Sequence, residues 1–248
     1  MVAIVRKVSG SFAKALSASP PDQPIDITIA REQHAEYRGA LERGGRHVRV
    51  VAADDSCPDC CFIEDTAVIA GSVALVTRPG APSRQAECEP VAKMLAPMVE
   101  VVRMEAPATL DGGDCMRVGK TIFVGRTART NAAGIARLKE VFGDHTIVPV
   151  ALPDHVLHLK CICAPLGDDR ITLVEGTPRD AFAGLDVVEI PRAEAYAANV
   201  LALGKTVLVA RGYPRTAERL AADFEVITLD TSEFRKADGS LTCLSLLL

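Results

Sequence analysis

The chain has 248 residues, 48% of them apolar, enough to bury a sizeable core in one large domain or two small ones. A net charge of −4, with basic residues scattered and not in runs, excludes the basic footprint of a nucleic-acid binder. No apolar run approaches the roughly 18 residues of a spanning helix. Arg6 and Lys7 follow the short apolar start, the reverse of signal-peptide order, so the expected location is the cytoplasm with no membrane partner.

Taken in chain order, a strand is expected at AIVRKV (3–8), a helix over 30–43 and a strand at HVRVVA (47–52). Two short β-branched runs, TAVIA (66–70) and VALVT (73–77), follow around Gly71-Ser72. A helix over 86–96 and the strand VEVVRM (99–104) come next. The same order of strand, turn, strand, helix, strand returns at CMRV (115–118), TIFVG (121–125), a helix near 131–142 and HTIVPV (145–150). A third copy places strands at 157–163 and 171–174, a short helix near 178–183 and DVVEI (186–190). A fourth has NVLAL (199–203), TVLVA (206–210), a helix near 214–222 and FEVITL (224–229).

A fifth copy is incomplete at the end of the chain, where only LTCLSLLL (241–248) remains, and its missing parts are those found at the start. The spacing of about 35 to 50 residues suits a propeller or array. Closure by both termini would leave no open sheet edge. The expectation is an α/β ring of five ββαβ units in a single domain, 1–248; an ordinary α/β sheet with hairpins is the alternative.

Eight cysteines in a cytoplasmic chain of this size do not suggest a disulfide framework. Cys57-Pro-Asp-Cys60-Cys61 holds a C-x-x-C, but Cys161-x-Cys163 is too tight to complete a zinc site, so core packing is the simpler reading. Groups able to do chemistry recur at one place in the repeat, at or before the first strand. They are Asp59, Glu64 and Asp65; Asp111 and Asp114; His155 and His158; Asn199; and Asp238 and Cys243. Gly112-Gly113 between two aspartates reads as a turn requiring positive φ. In a ring, equivalent positions meet near the axis, so these groups would share one pocket.

Buried carboxylates are costly without a paired cation, and a guanidinium matches their geometry. Its carbon is a poor electrophile, so attack needs a thiolate, acids that fix the plane, and an acid for the departing amine. An acid-lined pocket is expected to keep the thiol protonated until a cationic substrate arrives.

PDCCFIEDTAVI, LVTRPGAPSR (75–84), ATLDGGD (108–114), GRTARTNAAG (125–134), LHLK (157–160), AANV (197–200) and DGSLTC (238–243) together resemble the dimethylarginine dimethylaminohydrolases. These belong to the amidinotransferase and deiminase superfamily, and the likeness runs in order from about residue 25 to the C-terminus. It implies a five-bladed β/α propeller with pseudo-five-fold symmetry and hydrolysis of mono- and dimethylated free arginine to citrulline and an amine. No cofactor or metal is implied, and a homodimer is one arrangement compatible with it. Cys243 would be the nucleophile, His158 the general acid and then base, and Asp111 the group that binds guanidinium and orients the site. Asp59, Glu64, Asp65 and Asp238 would line the substrate pocket, with Arg84 and Arg129 on the α-carboxylate. The segment from Ser11 to Asp26 lies where the family has a lid. The rival functions are a deiminase acting on plain arginine, a hydrolase of another guanidine, a non-catalytic guanidine-binding protein, and a zinc-binding interaction module.

Overall fold

Val2–Arg6 forms β1, the middle strand of a sheet that gathers both ends of the chain; the computed structural model describes residues 1–248. Helix α1 (Ile27–Arg43) starts at Asp26, whose carboxylate accepts from the Thr28 and Ile29 N–H groups, and leads into β2 (His47–Val51). Next come β3 (Ala67–Ala70), β4 (Val73–Val76), α2 (Cys88–Leu95) and β5 (Glu100–Arg103). They are followed by β6 (Cys115–Val118), β7 (Thr121–Arg126), α3 (Ala132–Val141) and β8 (Thr146–Ala151). The third unit has β9 (Cys163–Gly167), β10 (Arg170–Val174) and β11 (Asp186–Ile190), with a single 3-10 turn at Asp180–Phe182 as its helix. Then come β12 (Leu201–Leu203), β13 (Thr206–Ala210), α4 (Pro214–Ala221) and β14 (Glu225–Leu229). Helix α5 (Ser232–Arg235) and β15 (Leu246–Leu247) end the chain.

The strands make five three-stranded sheets. In each, the middle strand runs antiparallel to one neighbour and parallel to the other. The antiparallel neighbour is the hairpin partner, as at β6–β7, where Gly119 takes the left-handed φ of +56° that the two-residue turn requires. The parallel neighbour arrives through a crossover that carries the helix, as parallel pairing demands. In the sheet of β15, β1 and β2 the hairpin is replaced by the two termini: Ala3 faces Leu247 and Ile4 faces Leu246.

Apolar clusters lie between consecutive sheets. Ile4 and Val51 meet Ala74, Val91 and Leu95; Leu75 meets Leu110, Ile122 and Leu138; Phe123 meets Leu159, Ile171 and Phe182. Leu166 meets Val200, Val207 and Leu220, and a last cluster joins Ala3 and Leu41 to Leu208 and Leu229. Each sheet thus packs on both neighbours, which closes the ring.

Two expectations are corrected at the strand starts. The strand expected at 157–163 begins only at Cys163, because Leu159–Cys161 is a 3-10 turn. Within the expected strand 241–248, Thr242–Leu244 is likewise a turn and only Leu246–Leu247 pairs.

Candidate active site

The displaced strand starts share one cause. Every unit places a short turn just before its first strand: Ile63–Thr66, Gly112–Asp114, Leu159–Cys161, Arg192–Ala198 and Thr242–Leu244. In a tight turn successive side chains leave in different directions, so each turn can serve two sides at once.

One side is a cleft lined by Cys243, His158, Asp59, Asp65, Arg84, Arg129 and Asp238, together with Leu16, Phe62, Leu157, Ala237 and Gly239. The other is a cavity whose lining includes Glu64, Lys160 and Thr242. Glu64, expected among the substrate-binding acids, therefore faces away from the cleft. Its carboxylate accepts from Lys160 Nζ at 2.5 Å and from the Thr242 hydroxyl at 2.8 Å. The adjacent pairs Glu64/Asp65 and Thr242/Cys243 each divide between the two spaces.

His158 is buried, with Nε2 3.0 Å from Asp111 Oδ2. Asp111 has no exposed surface and stands behind the imidazole, outside the cleft lining; its other oxygen accepts from the Gly80 N–H at 2.8 Å. Burial opposes a charged His158, but Asp65, Asp111 and Asp114 outweigh it and hold the imidazolium up to about 9. Burial likewise opposes an ionised Asp65, yet His158, Arg84 and the Gly113 N–H bring it down to about 2. Burial, then the carboxylates of Glu64 and Asp65, push the Cys243 thiol well above its ordinary range. The site without substrate therefore holds a protonated thiol beside an imidazolium.

Asp114 anchors the turn that carries His158. Its oxygens accept from the Leu159 N–H at 3.1 Å and from the Thr127 and Thr130 hydroxyls at 2.6 Å each. Gly112 and Gly113 do not have the positive φ expected of them. They are glycines because space is short: a Cβ on Gly113 would lie 2.8 Å from Asp65 Oδ1 and 2.9 Å from His158 Nδ1.

Arg84 is more committed than a simple carboxylate clamp. Nη1 donates to Asp65 at 2.5 Å, Nη2 to Phe62 O at 2.9 Å and to Glu87 at 2.8 Å, and Nε to Glu87. Arg129 is freer: Nη1 is buried without a hydrogen-bond partner and lies 3.8 Å from Asp111 Oδ2. Asp59 accepts from the Leu16 N–H at 2.9 Å and exposed Asp238 from the Ala18 N–H at 2.5 Å. These two acids thus staple the segment after Ser11 across the mouth of the cleft, with Leu16 facing in. His155 is exposed and takes no part.

Asp65, Asp111 and His158 bring one potential metal-ligand atom each within 4.8 Å of one another, but Arg84 and the imidazolium already neutralise the two carboxylates. Cys57, Cys60 and Cys61 are buried, and the Cys60 thiol donates to the Lys7 and Asp54 carbonyls at 3.8 Å.

No family model matches the chain. Among individual proteins, it is 39% identical over 250 residues to the N(G),N(G)-dimethylarginine dimethylaminohydrolase of Streptomyces coelicolor, covering 99% of this chain and 96% of that one. It is 36% identical over 248 residues to the enzyme of the same name from Pseudomonas aeruginosa, covering 98% and 97%. The chain belongs to the dimethylarginine dimethylaminohydrolase family. A solved structure of the Pseudomonas aeruginosa family member, a cysteine-to-serine mutant complexed with citrulline, superposes with a TM-score of 0.94 over 98% of this chain and 97% of that one, at 35% identity. Family membership makes the chain a hydrolase of guanidino C–N bonds, built on the five-sheet α/β ring described above.

The sequence singled out Asp114 and Asn199 by position without giving either a role, and it missed Leu16, Lys160 and Glu87. Glu87 had a local signal, three residues after Arg84 on one helical face. Lys160 had none, since its partner Glu64 lies in another unit.

Proposed function

We propose that this protein hydrolyses free Nω-methylated arginines, asymmetric dimethylarginine and monomethylarginine, to citrulline and dimethylamine or methylamine. The observation that carries the reading is one cleft in which Cys243 and His158 stand beside Asp65, with Arg84 and Arg129 on the same wall.

The substrate's α-carboxylate pairs with Arg129, assisted by Arg84, and its guanidinium lies against the acids. Its positive charge offsets the carboxylates that raise the thiol, so the Cys243 proton leaves to solvent and Sγ bonds to the guanidinium carbon. His158 gives its proton to the departing amine as the C–N bond breaks, leaving an S-alkylthiouronium on Cys243. The neutral imidazole then takes a proton from water as its oxygen bonds to the same carbon. The C–S bond breaks, releasing citrulline and the thiolate. Asp111 holds the imidazole throughout, and Asp59 and Asp238 keep the Leu16 segment over the cleft.

Residues 1–248 act as one catalytic domain in this scheme, and the free state of all eight cysteines supports placing it in the cytoplasm. No helix is long and apolar enough to cross a membrane.

The test is product analysis after separate incubation with asymmetric dimethylarginine, monomethylarginine and arginine. Citrulline with dimethylamine or methylamine supports the proposal; citrulline with ammonia from arginine alone makes the protein a deiminase. No turnover of any of the three refutes it.

A further inference from the structure

The turns of neighbouring units pack directly where Ile63–Thr66 meets Gly112–Asp114, where Gly112–Asp114 meets Leu159–Cys161, and where Ile63–Thr66 meets Thr242–Leu244. The junction between the histidine turn and the nucleophile turn is spanned by the side chain of Asn199. This residue is 3% exposed, and every polar atom of its amide is used. Oδ1 accepts from the Thr242 N–H at 2.9 Å, while Nδ2 donates to the Thr242 hydroxyl at 3.0 Å and to the Lys160 carbonyl at 2.8 Å. Thr242 immediately precedes Cys243, and Lys160 follows His158 by two residues within the Leu159–Cys161 turn. A single planar amide therefore ties the main chain beside the thiol to the main chain beside the imidazole, on the face turned away from the cleft.

We infer that Asn199 is a positioning residue that sets the register between Cys243 and His158. The inference rests on the proposed roles of those two residues. Nucleophile and acid lie in different units, and their separation depends on how two turns meet. A buried amide can supply both the donor and the acceptor that this junction needs, whereas an apolar residue would leave the Thr242 N–H and the Lys160 carbonyl without these partners. The same tie extends to the Thr242 hydroxyl, which donates to Glu64, and Glu64 in turn accepts from Lys160 Nζ. The result is a small closed network with the Cys243 main chain on its rim. Asn199 touches neither substrate nor cleft; it acts through the two turns alone.

Asn199→Ala and Asn199→Asp test this. Asn199→Asp keeps the volume and the acceptor for the Thr242 N–H but replaces the donor to the Lys160 carbonyl with an oxygen, and it serves if Asn199→Ala fails to fold. Steady-state rates on asymmetric dimethylarginine are measured alongside alkylation of Cys243 by the cationic 2-chloroacetamidine and by neutral iodoacetamide. In Asn199→Ala, kcat falls about a hundredfold with KM little moved, the size expected when a reacting group is displaced by about 1 Å. The rate ratio of the cationic to the neutral reagent falls with it, because only the cation depends on the thiol's alignment with the acids and His158. Asn199→Asp shows losses of the same kind. A merely structural role would lower the melting temperature while leaving the per-molecule kcat and the reagent ratio of the folded variants at wild-type values, and that result overturns the inference. If the wild type turns over no methylarginine, the proposed function fails and the reagent ratio decides the role of Asn199 by itself.

Discussion

His158 Nε2 lies 3.0 Å from Asp111 Oδ2, and Asp111 is wholly buried with its second oxygen held by the Gly80 N–H. The carboxylate is thus fixed before any substrate arrives and helps to keep the imidazole charged up to about 9. Asp111→Asn leaves the shape and removes the charge. Its kcat should fall by about a hundredfold or more, the range for loss of a positioned acid. The alkaline limb of its pH–rate profile should also move to lower pH. An unmoved limb would show that Asp111 does not sustain the imidazolium.

The same group makes stability depend on pH. The folded-state value of about 9 lies above the ordinary 6.5, so the charged His158 contributes stability that is fully present below 6.5 and lost as pH rises through about 9. Asp65 has the opposite sign: its folded value of about 2 lies below 3.8, and its contribution disappears as pH falls through about 2. Urea unfolding of His158→Gln across pH 6 to 10 should lack the alkaline decline that the wild type shows. Parallel curves would assign that decline to other groups.

Arg84 neutralises both Asp65 and Glu87 in a site from which water is excluded. Removing one partner of a buried pair strands the other, so Arg84→Met should cost about 3–5 kcal/mol of unfolding free energy. Arg84→Lys keeps the charge but not the fork that reaches Asp65, Glu87 and the Phe62 carbonyl together, and should recover only part of it. Full recovery by lysine would mean that the geometry of the guanidinium is immaterial.

Gly113→Ala separates activity from folding. The added methyl would press on Asp65 Oδ1 and His158 Nδ1 at 2.8 and 2.9 Å, both cleft-lining groups, so kcat should drop sharply. The stability cost should stay near the 1–3 kcal/mol typical of overpacking. Wild-type kcat in the folded variant would contradict the placement of the imidazole against this turn.

Much of the ring was legible because its signals are local. β6 and its Gly119-Lys120 turn, β11 and β13 fall where alternating β-branched runs put them, since a hairpin strand declares its pattern over a few residues. The turns carrying Asp65, His158 and Cys243 were not legible as turns, because their apolar neighbours read as continuations of the following strand. Whether an acid faces the cleft or the opposite cavity was also hidden. Glu64 and Asp65 are adjacent and chemically alike, and only Lys160, from a distant unit, draws the first away while Arg84 holds the second. The Ser11 to Asp26 segment has no pattern of its own. It is placed by Asp55, Asp59 and Asp238, which accept from its main-chain N–H groups or, for Gly10, from the residue just before it.

The most direct test of the account is to quench the protein during turnover of asymmetric dimethylarginine and weigh the Cys243 peptide. The predicted result is a mass increase equal to substrate less dimethylamine, on that peptide alone, absent from Cys243→Ser and accumulating in His158→Gly, where water is no longer activated. Turnover with no adduct on Cys243, or undiminished turnover by Cys243→Ser, would contradict it.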